Sequence, residues 1–127
     1  MKTKHFLIVL LFIGPVGFSQ DSNFHIYLSF GQSNMEGHAK FEPRDTLGNE
    51  RFKVLQSVDC PELGREAGNW YTAVPPLSRC DTGLTPTDYF GRTMIQNLPD
   101  EVKVGVINVA VGGCKIELFD KENYKDY

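Results

Sequence analysis

Gly31-Gln32-Ser33-Asn34-Met35 lies directly behind the apolar run His25 to Phe30, and a serine at such a junction has chemistry open to it. Where a strand ends and a helix begins, the chain turns tightly, glycine permits the turn, and the hydroxyl stands out at the carboxyl edge of the strand. Open α/β sheets keep their active sites at that edge. A serine hydroxyl is a poor nucleophile at neutral pH and needs a base, usually histidine, together with backbone donors aimed at the oxyanion that forms. The N–H of Ser33 at the helix start is one such donor, and Gly113, in the Gly112-Gly113 pair that ends a second apolar run, offers another. No base is evident. His38 follows Ser33 by five positions, which on a continuous helix turns it about 140° away, and His25 lies a full strand length from the serine. The alternative role for Ser33 is a hydroxyl that caps the following helix.

Other chemistry finds less support. Three cysteines occur. Cys60 and Cys80 bracket a Gly-, Pro- and Trp-containing segment of little periodicity, so they are the expected disulfide, worth ~3 kcal/mol in the chain-entropy model. Cys114, beside Gly112-Gly113, is expected to pack as a small buried residue, since no histidine in the second half of the chain could activate it. No metal site is expected, because no Cys-x-x-Cys or paired-histidine spacing occurs. Neither a G-x-G-x-x-G fingerprint nor a phosphate loop is present, and the lipase-type G-x-S-x-G elbow fails at Met35. Asn69, Trp70 and Tyr71 are a candidate sugar platform, with a core role for Trp70 as the plainer reading. Arg65 and Arg79 read as surface charges, and Gln32 and Asn34 as side chains that fix the serine turn.

These residues need elements to position them. His25 to Phe30 reads as a largely buried strand, and Asn34 to about His38 as a short helix or turn weakened by Gly37. From Lys40 to Thr85 glycine and proline recur without a sustained period, which predicts a long irregular excursion, unusual in a compact domain unless functional or stapled. Thr85-Pro86-Thr87-Asp88 opens a helix with a cap and a first-turn proline. Tyr89, Phe90, Met94, Ile95 and Leu98 then recur at helical spacing until Pro99. Val102 to Val111 is almost continuous Val and Ile, the pattern of a parallel strand covered on both faces. Strand, helix, strand forms a right-handed βαβ unit. If its strands are parallel neighbours, Ser33 and Gly113 face one cleft.

The chain begins with Lys2, Lys4 and His5, runs apolar from Phe6 to Val16 and then offers Gly17 and Ser19. That is the order of a secretory signal peptide, too short for the roughly 20 residues of a bilayer span. Residues 1–19 are therefore expected to be a leader cleaved before Gln20, and the mature chain to be secreted or periplasmic, with no membrane association after cleavage. Losing Lys2 and Lys4 and no acid moves the formal charge from −3 to −5, which leaves no basic track for nucleic acid. Gln20 to Tyr127 is the size of one small domain.

G-Q-S-N-M-E-G after the first strand, G-L-T-P-T-D-Y-F-G-R-T-M in the helix, and V-G-V-I-N-V-A-V-G-G-C-K-I at the second strand together resemble the SGNH hydrolase superfamily. Within it the chain is similar to the sialate O-acetylesterase-like group that includes acetyl xylan esterases of carbohydrate esterase family six. The likeness runs from about Phe24 to Phe119. It implies an α/β, flavodoxin-like three-layer fold, of which this chain would hold only the first βαβ portion of the parallel sheet. It also implies Ser33 as nucleophile, Ser33 and Gly113 as oxyanion donors, an acetylated carbohydrate as substrate, and no cofactor. The family's later parts, a Gln-Gly-Glu type loop and an Asp-x-x-His pair, do not occur in the sequence. The resemblance therefore implies the N-terminal part of an apparently truncated domain, incomplete as an esterase on its own. The alternative is a non-catalytic carbohydrate-binding remnant or truncated gene product, whose second strand would have an uncovered edge.

Overall fold

The computed structural model describes residues 20–122, so the expected leader over Met1 to Ser19 lies outside the described residues. The elements are β1 (Phe24–Ser29), α1 (Ser33–Glu36), β2 (Phe52–Leu55), β3 (Trp70–Thr72), α2 (Pro86–Asn97) and β4 (Lys103–Asn108). Short 3-10 turns at Pro43–Thr46, Pro61–Leu63 and Ile116–Phe119 join them. None of the helices among the described residues is long and apolar enough to cross a membrane.

The sheet order is β1-β4-β2-β3. β4 runs parallel to β1, with Ser29 opposite Asn108, and parallel to β2, with Val54 opposite Val106. β3 closes the far edge antiparallel to β2. The expected parallel pairing of the first and last strands is therefore present, inside a mixed α/β sheet of four strands rather than a bare βαβ unit. β4 has a partner on both sides, so among the described residues the open edge expected there is that of β1 instead. A short Val-rich segment needs that central place, because its apolar side chains alternate to both faces and both must be covered. Val104 and Val106 are fully buried.

On one face α2 packs over β2 and β4, forming a core of Phe52, Val54, Ala73, Leu77, Ile95, Val104 and Val106. Gly91 of α2 sits against the Phe52 ring, with no room for a side chain. On the other face the Phe24 and Trp70 rings meet edge to face, centroids 4.9 Å apart, over Gly105. β1 departs from its expectation. Its run is apolar, but Ile26 and Leu28 point away from α2 and are 48% and 61% exposed. Apolar composition fixes a strand's tolerance for burial, not which of its faces finds a cover.

Helix α2 begins as the sequence requires. Thr87 N–H donates to Thr85 Oγ1 at 2.9 Å and Thr85 N–H to Asp88 Oδ2 at 2.8 Å, the reciprocal bonds of a capping box. Beyond its other end the Arg51 guanidinium donates to the carbonyls of Leu98, the C-cap, and of Pro99 and Val102, fastening the link from α2 to β4. Asp88 is fully buried and, among the described residues, its Oδ1 accepts no hydrogen bond. Burial pushes its carboxyl up to about 6, against the downward pull of its bond to Thr85. Because that value lies above the ordinary 3.8, the folded state holds a proton the unfolded state releases. The resulting stabilisation is present below pH 3.8 and is lost as pH rises through about 6. At about 1.4 kcal/mol per unit, Asp88→Asn should remove a penalty of about 2 to 3 kcal/mol at pH 7 and change little at pH 3.5. Urea unfolding of both proteins at the two pH values checks this; a difference independent of pH would contradict it.

The excursion from Lys40 to Thr85 is ordered and supplies half the strands. Cys60 and Cys80 are joined by a disulfide with Cα atoms 5.5 Å apart. Arg65, expected on the surface, is buried inside the closed loop and donates to the carbonyls of Pro76 at 2.8 Å and Val74 at 2.9 Å. Desolvation lowers its pKa. A guanidinium has five donors and can fasten several carbonyls at once, which an irregular loop without a ladder requires.

Candidate active site

Two loops meet at the carboxyl edge of β1 and β4. The first turns at Gly31, whose φ of 149° disfavours any side chain. Ser33 then opens α1, held by bonds from the N–H groups of Met35 and Glu36 to Gln32 O, both 2.9 Å. Gly37, with φ of 93°, ends the turn by donating to Ser33 O at 3.0 Å. A Cβ there would lie 2.7 Å from Leu84 O. The second loop leaves β4 at Asn108 and is fastened to the first by Val109 N–H to Ser29 O (2.9 Å) and Val111 N–H to Gly31 O (3.0 Å). Ser33 and Gly113 thus come from loops bonded to each other. Gly113 has φ of 75°, and among the described residues the N–H groups of Ser33 and Gly113 donate to no carbonyl. Ser33 is exposed, and its Oγ has no hydrogen-bond partner among the described residues.

Two buried polar residues hold this geometry. Asn108 donates from Nδ2 to Met35 O at 3.0 Å and accepts from Ala110 N–H at 3.1 Å, tying the serine turn to the end of β4. Glu36, 6% exposed, accepts the Gly112 N–H on Oε2 at 2.9 Å. Its charge is met by Arg79 Nε at 3.5 Å and neighboured by His38 Nε2 at 3.3 Å. Neither residue carries a functional expectation from the sequence alone. The signal for Asn108 was a lone amide inside a Val/Ile run, since a buried polar side chain there must have a partner. Glu36 had no comparable signal beyond its closeness to Ser33.

The other candidates are placed as follows. His38 is 60% exposed and lines the same groove as Ser33, turned toward Glu36. His25 pairs with Val104 at the opposite end of β1. Cys114 is a buried free thiol whose Sγ lies 3.5 Å from Gly31 O. Arg79 contacts Glu36 rather than standing free. Trp70 and Tyr71 belong to β3, at the far side of the sheet from β1, and Trp70 is spent on Phe24. Gln32 and Asn34 flank the serine, but the Gln32 side chain makes no capping hydrogen bond to the turn among the described residues. Cys60, Glu62 and Cys80 cluster closely enough to suggest metal ligands, but both sulfurs are in the disulfide and offer no thiolate.

A groove of about 500 Å³ runs beside Ser33, lined among others by Asn34, His38, Leu84, Pro86 and Tyr89. Tyr89 is 47% exposed, and its hydroxyl donates to Asp45 Oδ1 at 2.7 Å. That bond raises the phenol's pKa. Asp45 is held below the ordinary carboxylate range, chiefly by the Glu42 backbone N–H and then by Tyr89.

The family model described as carbohydrate esterase, sialic acid-specific acetylesterase matches residues 23–127. Among solved structures, the crystal structure of a protein from Arabidopsis thaliana is similar over 82% of this chain, with a TM-score of 0.61 at 20% identity. That likeness shows a shared fold. The match takes in 48% of the Arabidopsis chain, so the present chain spans about half its length.

Proposed function

From the chain's membership of the carbohydrate esterase, sialic acid-specific acetylesterase family, we propose that it hydrolyses O-acetyl esters of carbohydrate with Ser33 as nucleophile. The observation that carries this reading is the junction of the two loops, which leaves the hydroxyl of Ser33 and the N–H groups of Ser33 and Gly113 uncommitted at one sheet edge. Ser33 Oγ attacks the acetyl carbonyl, and the two amides receive the negative charge as it develops on oxygen. The sugar hydroxyl leaves, and water then releases acetate from the acyl-serine. Such donors act without rearranging only if the loops are rigid, which is the role of Asn108 and of Glu36.

The proton of Ser33 requires a base that neither His25, at the opposite end of β1, nor His38, turned toward Glu36, supplies, and we assign it to sequence outside the described residues or to a partner chain. An exported location is part of the proposal, supported by the leader pattern in Met1 to Ser19 and by the disulfide, which persists in oxidising compartments. The unpartnered Oγ of Ser33 also favours a second reading, a carbohydrate-binding product without turnover. Hydrolysis of p-nitrophenyl acetate and acetylated xylan by the full chain and by Ser33→Ala separates the two. The esterase reading expects the rate to fall at least about tenfold in the variant, because without a base the wild-type rate is already small. Equal rates would leave only the binding reading.

A further inference from the structure

The groove beside Ser33 has a flat and rigid wall. Resting on the assignment of Ser33 as nucleophile, we propose that Tyr89 is the platform of a subsite for an uncharged pyranose, the sugar that carries the ester Ser33 attacks. Tyr89 stands in the first turn of α2, nearly half exposed, and shares the groove with Ser33. Among the described residues its ring stacks on no other ring; Phe90 beside it is taken up by Tyr27. A pyranose presents a face of C–H groups that packs on an aromatic ring.

The ring is also fixed before any ligand arrives. Its hydroxyl is bound to Asp45 Oδ1 at 2.7 Å, while Asp45 Oδ2 accepts the Glu42 N–H at 2.8 Å and the Asp45 carbonyl accepts from the Arg92 guanidinium. Holding a contact surface in its binding orientation lowers the ordering cost of association. Leu84 and Pro86 continue the apolar wall, and Asn34 and His38 supply polar groups.

The charges around the groove select against an anionic sugar. No lysine or arginine is among its lining residues. Recognition of a carboxylate usually employs an arginine fork, and the nearby arginines are engaged: Arg79 with Glu36, Arg92 with the carbonyls of Asp45 and Leu47, Arg44 with Glu42. The carboxylates of Glu36 and Asp45 behind His38 and Tyr89 are matched by Arg79 and by the Arg44 and Arg92 charges, so a sialic acid carboxylate entering the groove would give up its water and find no guanidinium among the lining residues. An acetylated xylose or hexose carries no such penalty.

The test is a chemical-shift titration of the full chain carrying Ser33→Ala, which prevents turnover, with O-acetylated xylotriose and with 9-O-acetyl-N-acetylneuraminic acid. The xylotriose is expected to bind at least about tenfold more tightly than the sialic acid. Tyr89→Leu, which keeps apolar bulk but no flat face, should weaken xylotriose about tenfold. Tyr89→Phe, which keeps the face and loses only the Asp45 bond, should stay within about fivefold. Thermal melts of both variants exclude unfolding as the cause. Unchanged affinity in Tyr89→Leu, a sialic acid that binds as tightly as the xylotriose, or no saturable binding would each overturn the subsite. Full esterase rate in Ser33→Ala would remove the nucleophile and leave these affinities as they are, so the two failures are distinguishable.

Discussion

Gly91→Ala should lower the unfolding free energy by about 3 kcal/mol, although the same change in an exposed helix interior gains about 1 kcal/mol. The sign is decided by Phe52. A Cβ built on Gly91 lies 2.0 to 2.6 Å from three carbons of that ring, far inside contact distance. Phe52 is 1% exposed and packed among Val54, Val104 and Ile95, so moving its ring breaks contacts of the core. The helix must lift or the ring must leave its rotamer, and either costs more than alanine's propensity returns. Urea unfolding of the single variants and of Gly91→Ala combined with Phe52→Leu measures this. The double variant should regain part of the loss, because the smaller side chain vacates the space the methyl needs. A Gly91→Ala protein as stable as wild type would show that α2 does not approach β2 as described.

The second large effect is expected at Asn108. Asn108→Ala removes the donor to Met35 O and the acceptor for Ala110 N–H in a fully buried place. An unsatisfied buried group costs about 1 to 3 kcal/mol, so the two together should cost about 3 kcal/mol, with some relief where water enters. Asn108→Leu separates hydrogen bonding from volume, since it fills the space and restores neither bond; it should be destabilised as much as the alanine variant. Amide exchange at Ala110 and Val111 should accelerate in both, because Asn108 is what joins the end of β4 to the serine turn. A leucine variant within 1 kcal/mol of wild type would mean that packing rather than the amide holds the junction.

Much of this arrangement was legible because it is local. The capping signals of α2 lie within four consecutive residues, and the period of Tyr89 to Leu98 marks a face without reference to the rest of the chain. The Val-rich run has the look of a buried strand, which Lys103–Asn108 form, and its parallel pairing with β1 brings the loops of Ser33 and Gly113 together. The segment from Lys40 to Thr85 was illegible for the opposite reason. β2 and β3 are four and three residues long, too short to show a period, and they are strands only because β4 offers β2 a partner from far along the sequence. Arg65 illustrates the same limit: nothing local distinguishes an arginine that fastens loop carbonyls from one in water. Tyr89 was legible as a helix-face aromatic but not as a groove wall, because its distinction is the Asp45 bond, which spans 44 positions.

β1 sits at the sheet edge with Ile26 and Leu28 open to solvent, and it is also the strand from which the serine turn is hung. Colloidal behaviour and the placing of the Ser33 turn therefore depend on one segment of six residues. A polar replacement on its bare face can improve solubility, but the same change weakens the preference for the observed alignment with β4. A slip by a single residue would reverse every side chain of β1 and move Gly31 out of reach of Val111. Attempts to make this protein more soluble should leave the length and alternation of β1 untouched and work on its side chains one at a time.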